Sequence, residues 1–236
     1  MNKVIITLAL LQFVGADIPT VDERTEIVEY LTNLRESVEP PASNMKLMSY
    51  SLQLETLAQH HTANCTNPWT DQVSLPEDVY DIGEYYNGKT PPYIAMLTKY
   101  ASQKESYSYG ENLCINQCSE YKHMILAAAN AVGCAQNQCK TQGSSVEENL
   151  VVCLIKRNVR DIRKRPYKSG ESCSECPGGF ACHRKQCYDL WALQTNSPSL
   201  VAENSSISSA SNTSSVMKLS PVMIMNILIL VLRSIS

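Results

Sequence analysis

The sequence predicts an α+β domain. Apolar side chains recur at helical spacing in residues 25–38, which indicates an amphipathic helix. The uninterrupted apolar run LVVCLI at 150–155 indicates a strand that is buried on both faces. A hydrophobic fraction of 44% and a charged fraction of 18% permit a packed core and exclude wholesale disorder.

Four helices and two strands follow from the pattern. The first helix covers residues 25–38 and is ended by Pro40 and Pro41. Further helices are predicted at about 51–65, after Pro91 and Pro92, and at about 120–126, and strands at 130–135 and 149–155. Helices and strands mixed over about 140 residues imply one α+β domain.

A cysteine-rich segment follows this domain. Four cysteines stand between Cys173 and Cys187 around Pro177-Gly178-Gly179, and this segment is too small for a hydrophobic core. The spacing is compatible with zinc or with disulfides, and a secreted chain favours disulfides. The whole chain has ten cysteines, an even number that requires an oxidising compartment if all are paired.

The N-terminus agrees with that compartment. Lys3, the apolar run 4–14 and the small residues Gly15 and Ala16 have the order of a secretory signal peptide at 1–16. The net charge of −3 gives no reason to expect a nucleic acid as partner.

The C-terminus predicts attachment to a membrane. Residues 204–215 contain seven serines in twelve positions, and a short apolar run at 222–232 follows a polar spacer. This order matches a glycolipid-anchor signal; a transmembrane segment and plain secretion are the alternatives. Sequons at Asn64, Asn204 and Asn212 are expected glycosylation sites. The predicted boundaries are a signal peptide at 1–16, a domain at 24–160, a cysteine-rich hinge at 161–190, a serine-rich stalk at 191–215 and a hydrophobic anchor signal at 216–236.

Several motifs resemble the CAP superfamily, which comprises cysteine-rich secretory proteins, antigen 5 and plant pathogenesis-related proteins. Residues 38–45 (VEPPASNM), 63–65 (ANC), 132–135 (VGCA) and 151–153 (VVC) are similar to its opening and closing motifs. Residues 166–177 (PYKSGESCSECP) resemble the hinge of its animal members, and Cys114 with Cys118 is most like the glioma pathogenesis-related subgroup.

The resemblance implies a three-layer α-β-α sandwich followed by a small disulfide-rich hinge. It also implies five disulfides: Cys65–Cys139, Cys114–Cys118, Cys134–Cys153, Cys173–Cys182 and Cys176–Cys187.

The family's cleft holds two histidines and two glutamates that can bind zinc. By the resemblance, this chain has Trp69 and Glu120 in place of the histidines and retains the glutamate Glu84. The second glutamate has no counterpart near Ala101 or Ser102. His123, three residues after Glu120, is a candidate ligand on the same helix face. We expect no catalytic residues, no bound metal and no cofactor.

Two surface features remain. Residues 156–168 carry seven basic side chains and one acid, which fits a solvated linker or a patch for anionic glycans or lipid head groups. Tyr80, Tyr85, Tyr86 and Tyr93 crowd a region predicted as a loop, and in the family a loop near here has been linked to sterol binding.

These residues favour a non-enzymatic extracellular protein that binds a protein or glycan at a cell surface, in recognition, adhesion or immunomodulation. A sterol or lipid carrier using the four tyrosines is the alternative, and a metal-dependent hydrolase is the third reading. We expect the extracellular face of the plasma membrane, through the lipid anchor, or secretion.

Overall fold

The structure is a computed structural model that describes residues 16–63, 65, 75–89, 91–140, 147–158 and 163–190, all within one compact unit. Its helices are α1 (Val21–Glu36), α2 (Leu52–Ala63), α3 (Tyr93–Ala101) and α4 (Ser119–Met124), with a 3-10 helix at Ser102–Ser106. Its strands are β1 (Ser49–Tyr50), β2 (Val79–Asn87), β3 (Tyr107–Ser108), β4 (Leu113–Cys114), β5 (Ala131–Lys140), β6 (Glu147–Lys156), β7 (Phe180–His183) and β8 (Gln186–Asp189). The α+β fold is therefore confirmed.

Four strands form the central sheet in the order β1-β5-β6-β2. Strand β1 pairs with β5 in parallel, and the other two pairs are antiparallel. Helices cover both faces. Ile27 of α1 and Leu97 of α3 pack on one face with Val151, Cys153 and Ile155 of β6. On the other face, α2 packs against Leu150, Val152 and Leu154. Successive β6 residues thus enter opposite layers, which explains the uninterrupted apolar run.

Helix α1 begins earlier than its apolar spacing indicates. The Thr20 hydroxyl accepts a hydrogen bond from Glu23 N at 3.2 Å, and the Glu23 carboxylate accepts one from Thr20 N at 2.8 Å. This capping box satisfies the free amides of the first turn, so the helix starts at Val21. Asp17 is also part of the fold, because its N–H donates to Gln136 O at 2.7 Å.

The predicted tyrosine loop is wrong. Tyr80, Tyr85 and Tyr86 lie on strand β2, and Tyr93 is buried in the first turn of α3. Along β2 alternate residues face opposite layers: Tyr80 and Tyr86 pack with the α1–α3 side, and Tyr85 packs with the α2 side. The four side chains therefore do not form one lipid-binding surface.

The ten cysteines form the five pairs that the resemblance implies: Cys65–Cys139, Cys114–Cys118, Cys134–Cys153, Cys173–Cys182 and Cys176–Cys187. Cys134 and Cys153 lie directly opposite each other on β5 and β6, so their disulfide joins neighbouring strands within the sheet.

The cysteine-rich segment is fixed to the domain. Cys187 N donates to Met45 O at 2.6 Å, and Leu47 N donates to Cys187 O at 2.8 Å. Arg184, in the turn between β7 and β8, donates to both carboxylate oxygens of Glu29 at 2.8 Å and to Glu36 at 3.0 Å. Residues 163–190 therefore pack on α1 and on the loop before β1.

Some predictions concern residues outside the described ranges. These are the signal peptide except Ala16, the sequons Asn64, Asn204 and Asn212, Trp69, the serine-rich stalk and the C-terminal apolar segment. Among the residues that are described, no helix has both the length and the apolar character to cross a bilayer.

Candidate functional site

A cleft of about 590 Å³ opens beside the central sheet, where strand β2 passes the end of α3. The loop before α4 forms its other wall. Its lining is almost wholly polar or aromatic and comprises Gly83, Glu84, Tyr85, Lys99, Tyr100, Ser102, Gln103, Asn116 and Gln117. The retained glutamate Glu84 thus lies in a concave site, as a family cleft residue should.

Glu84 is neutralised by its neighbours. The Lys99 ammonium forms an ion pair with Glu84 Oε1, and the Tyr86 hydroxyl donates to Glu84 Oε2 at 3.1 Å. Burial, with the Glu84 charge as a further cause, raises the pKa of Tyr86 above its ordinary value, so this hydroxyl keeps its proton at neutral pH. Both carboxylate oxygens of Glu84 are therefore engaged within the protein.

Glu120 lies behind the cleft wall rather than in it. Its side chain is only 2% exposed in the first turn of α4. Gln103 Nε2 donates to Glu120 Oε2 at 2.8 Å, and Gln117 Nε2 approaches Oε1 at 3.5 Å. Gln103 Oε1 in turn accepts from Tyr121 N at 3.2 Å, which fixes the orientation of the amide. Two cleft-lining amides thus separate the Glu120 carboxylate from the cleft.

His123 does not act together with Glu120. Its ring stacks on Tyr80, with centroids 3.3 Å apart and planes 6° from parallel. Its Nδ1 lies 2.8 Å from Ser119 O, while the buried Nε2 has no hydrogen-bond partner. Burial lowers the pKa of His123 to about 4, so the imidazole is neutral at physiological pH. These contacts make His123 a core residue under the sheet edge.

The two histidines of α2 are equally unsuited to a shared metal. His61 is buried, and its Nε2 lies 3.8 Å from Asp81 Oδ2. His60 is exposed. Asp81 neighbours Glu84 in β2, but as an odd-numbered residue it faces the α2 layer, whereas Glu84 faces α3. His61 and Glu84 are therefore on opposite sides of the sheet.

The donors of the cleft do not fit a zinc ion. Zinc needs three or four nitrogen, sulfur or carboxylate ligands converging on one point. Glu84 is held by an ammonium, Glu120 is held by amides, and Trp69 lies outside the described residues. Among the residues described, Cys173, Cys176 and Cys187 are the one group of three potential ligands, and all three sulfurs are in disulfides.

Lys99 and Gln103 are the cleft residues that sequence reasoning missed. Lys99 lies in the last turn of α3, and Gln103 follows four residues later in the 3-10 helix. Met96, Leu97 and Tyr100 of α3 are buried, so Lys99 sits at the margin of the apolar face. That marginal position, beside the place where the resemblance requires a second glutamate, is the signal that could have identified it.

Comparison with known proteins identifies the family. The family model described as "CAP: Cysteine-rich secretory protein family" matches residues 28–155. Mouse GLIPR1-like protein 1 is 31% identical over 187 residues, which cover 73% of this chain and 78% of that protein. Human cysteine-rich secretory protein LCCL domain-containing 2 is 30% identical over 185 residues, 71% of this chain but only 37% of that longer protein.

The fold has solved counterparts. The crystal structure of hookworm platelet inhibitor superimposes with a TM-score of 0.55 at 20% identity, covering 73% of this chain and 93% of that one. At that identity the likeness establishes the fold alone. The matched family model, the mouse relative and the α-β-α layers agree: this chain belongs to the CAP family, the cysteine-rich secretory protein family.

Proposed function

We propose that this chain is a non-enzymatic extracellular CAP protein that acts by binding a protein or glycan at a cell surface. One observation carries the proposal: the carboxylate in the cleft and the carboxylate behind its wall are already satisfied by side chains of the same molecule. Glu84 is paired with Lys99 and Tyr86, and Glu120 is bonded by Gln103. Such a cleft can form hydrogen bonds with the polar groups of a partner, but it offers no unpaired carboxylate as a general base.

Hydrolysis needs an activated water or an activated nucleophile. A carboxylate acting as general base must accept a proton in the transition state, and a paired ammonium opposes this by stabilising the ionised form. The buried His123 is stacked under Tyr80 rather than exposed in the cleft, and all cysteines are in disulfides. The polar lining therefore supports binding better than catalysis.

The scaffold suits recognition in an oxidising environment. The Cys65–Cys139 disulfide closes a 74-residue separation and ties the end of α2 to β5. In the chain-entropy picture it stabilises the fold by about 4 kcal/mol. The cleft wall at Asn116 and Gln117 lies inside the Cys114–Cys118 loop, so these two amides are presented on a covalently closed segment.

Cleft variants separate binding from catalysis. The purified chain is titrated onto intact cells and assayed in parallel for peptide and ester hydrolysis. We expect saturable binding that weakens about fivefold to tenfold in Lys99→Glu, which breaks the ion pair and leaves two carboxylates in the cleft. Lys185→Glu, an exposed lysine in the β7–β8 turn, is the matched control and should bind as the wild type does.

The variant Glu84→Gln distinguishes a binding protein from an enzyme. The amide retains the shape and a hydrogen-bonding oxygen, so binding should persist. A hydrolytic activity in the wild type that Glu84→Gln abolishes would refute the proposal. Extraction of sterol or phospholipid from vesicles, unchanged in Lys99→Glu, would instead support the carrier alternative.

Cell-surface attachment is the second part of the proposal, and it rests on the serine-rich stretch and short apolar run at the C-terminus. Surface display in transfected cells is measured before and after phosphatidylinositol-specific phospholipase C. Release of the ectodomain is the expected result. If the chain stays on the cells and a C-terminal antibody still detects it, the tail is transmembrane or unprocessed and the lipid anchor is wrong.

A further inference from the structure

Strand β4 and the residue after it present apolar side chains to solvent, and we call residues 113–115 the apolar tip, although they lie beyond the hairpin turn at 109–112. Leu113 is 60% exposed and Ile115 is 79% exposed, and the residues on either side of them are polar or half-buried. Burying such aliphatic side chains is favourable, so two of them exposed together indicate a contact surface rather than a structural need.

The tip is held rigidly. Cys114 between the two apolar residues is bonded to Cys118, and Leu113 pairs with Ser108 across the hairpin. Ile115 N also donates to Ser106 O at 2.8 Å. A rigid tip loses little conformational entropy when it is buried in a second phase.

Basic residues contact the hairpin at its turn. Asn112, next to Leu113, donates to Arg163 O at 2.7 Å and accepts from Lys122 Nζ at 3.1 Å. Arg165 donates to Tyr109 O at 3.0 Å and lies over the Tyr109 ring, 5.6 Å from its centroid. The Tyr109 hydroxyl then donates to Tyr167 O at 2.9 Å. The hairpin and residues 163–168 therefore form one surface.

This surface carries an excess of positive charge. We call it the basic face, and its cations are Lys122, Arg163, Lys164, Arg165 and Lys168. Among the described residues, the acids in the hairpin, in residues 163–168 or in an ion pair with them are Glu111 and Glu175, and Glu175 pairs with Lys168 at 2.5 Å. Five cations against two carboxylates leave a net charge of +3 on these residues. A groove of about 720 Å³ runs along it, lined by Tyr109, Lys164, Arg165 and Lys168 among others.

We propose that the basic face and the apolar tip together dock on the surface of an anionic phospholipid membrane, with Leu113 and Ile115 entering the acyl boundary and the cations meeting phosphate and carboxylate head groups. Exposed apolar side chains next to lysine and arginine are the composition that binds membrane interfaces. A sulfated glycan would satisfy the cations but would leave Leu113 and Ile115 exposed to water. This inference does not depend on the proposed ligand of the cleft.

The full chain is tested on vesicles of phosphatidylcholine with and without phosphatidylserine. Two readouts are used: flotation with the vesicles, and amide hydrogen exchange at residues 107–118. The second readout is local, so attachment through the C-terminal apolar segment does not imitate it. We expect phosphatidylserine-dependent binding that weakens with added salt, together with slower exchange at the hairpin.

Two variants and two controls test the two components. Leu113→Ser with Ile115→Ser should weaken the phosphatidylserine-dependent binding by at least about tenfold, since two aliphatic side chains no longer leave water. Lys164→Glu should weaken it by about tenfold, because one cation is reversed next to the lipid charges.

The apolar control is Val21→Ser with Leu52→Ser, at residues that are 71% and 61% exposed. Val21 lies at the opposite end of α1 from Arg35, which contacts the end of α4, and fourteen residues of helix separate these two positions by roughly 20 Å. The charge control is Lys185→Glu. Both controls should bind as the wild type does.

Three results would overturn the proposal. The first is vesicle binding with unchanged exchange at 107–118. The second is equal losses in the apolar variant and its control. The third is binding to soluble heparin, but not to vesicles, that Lys164→Glu abolishes and the apolar variant leaves intact, since that pattern belongs to a sulfated-glycan site.

Discussion

Arg35 is the strongest test of how the fold holds the cleft side of the sheet. Its guanidinium is 1% exposed and donates four hydrogen bonds to backbone oxygens: to Met124 at 2.8 Å, Leu126 at 3.0 Å, Ala129 at 3.0 Å and Lys46 at 2.7 Å. None of the ion pairs among the described residues includes Arg35. Burial lowers its pKa to about 9, which still leaves it charged at neutral pH.

The expected magnitude is the difference between two opposing effects. Each bond from a charged donor contributes about 1.5–3 kcal/mol, and a buried carbonyl that loses its donor costs about 1–3 kcal/mol. Removing the buried cation recovers several kcal/mol of desolvation. We therefore expect Arg35→Met to lower the free energy of unfolding by about 3–5 kcal/mol. The free energy of unfolding of Arg35→Lys should lie between those of the wild type and Arg35→Met, because one ammonium has three donors and cannot span four acceptors.

Denaturant unfolding under oxidising conditions, followed by circular dichroism, measures both variants. Amide hydrogen exchange is measured in parallel. Residues 124–130 should lose protection first in Arg35→Met. A loss below about 1 kcal/mol with an unchanged denaturant slope would refute the reasoning, because the carbonyls would then be satisfied without the guanidinium.

Three further predictions concern other parts of the molecule. Burial lowers the pKa of His123 to about 4 from its ordinary 6.5, so the unfolded state binds more protons than the folded state between these pH values. The contribution of the neutral His123 to stability is therefore complete above pH 6.5. It is lost as the pH falls towards 4, by about 3 kcal/mol in total. His123→Phe retains a ring on Tyr80 and should flatten that part of the pH profile in urea titrations at fixed pH. Gly133→Ala would place a Cβ 2.3 Å from Glu55 N and 2.6 Å from Leu54 C, so α2 must move. We expect the free energy of unfolding to fall by roughly 2–4 kcal/mol. Gly178→Ala is the matched control, because a Cβ there meets nothing within 4 Å. Arg184→Ala should speed hydrogen exchange in β7 and β8 while changing the free energy of unfolding by no more than about 1 kcal/mol. Equal exchange in the variant and the wild type would contradict the contacts of Arg184 with Glu29 and Glu36.

Much of the fold could be predicted where local pattern and tertiary environment agree. The run at 150–155 is apolar at every position because β6 is covered on both faces. Strand β2 was missed for the opposite reason. Asp81, Glu84 and three tyrosines interrupt its apolar pattern, and it is a strand because it pairs along its whole length with β6. Such pairing joins residues about 70 positions apart, which no local window contains.

The cleft was predictable in part. Glu84 and the altered position 120 followed from the resemblance, and so did the disulfide pairs. The Lys99–Glu84 ion pair did not, because it depends on α3 passing β2 fifteen residues away at one register. Nor did the burial of Glu120, since nothing in the sequence around it indicates that Gln103 and Gln117 cover both its oxygens.

The charge distribution assigns different tasks to the two sides of the α3–α4 region. In the cleft, the Glu84 and Lys99 charges cancel, so the cleft itself exerts little long-range attraction on either sign of ligand. The basic face keeps an excess of +3 although the whole chain carries −3. An anionic surface therefore repels the chain as a whole through its net charge and attracts this face through its local excess of cations. At physiological salt, where screening acts over about 8 Å, the nearby cations outweigh the distant acids once the hairpin approaches. The docking that we propose for the basic face would therefore be oriented by the charges around the hairpin and would need no contact made by the cleft.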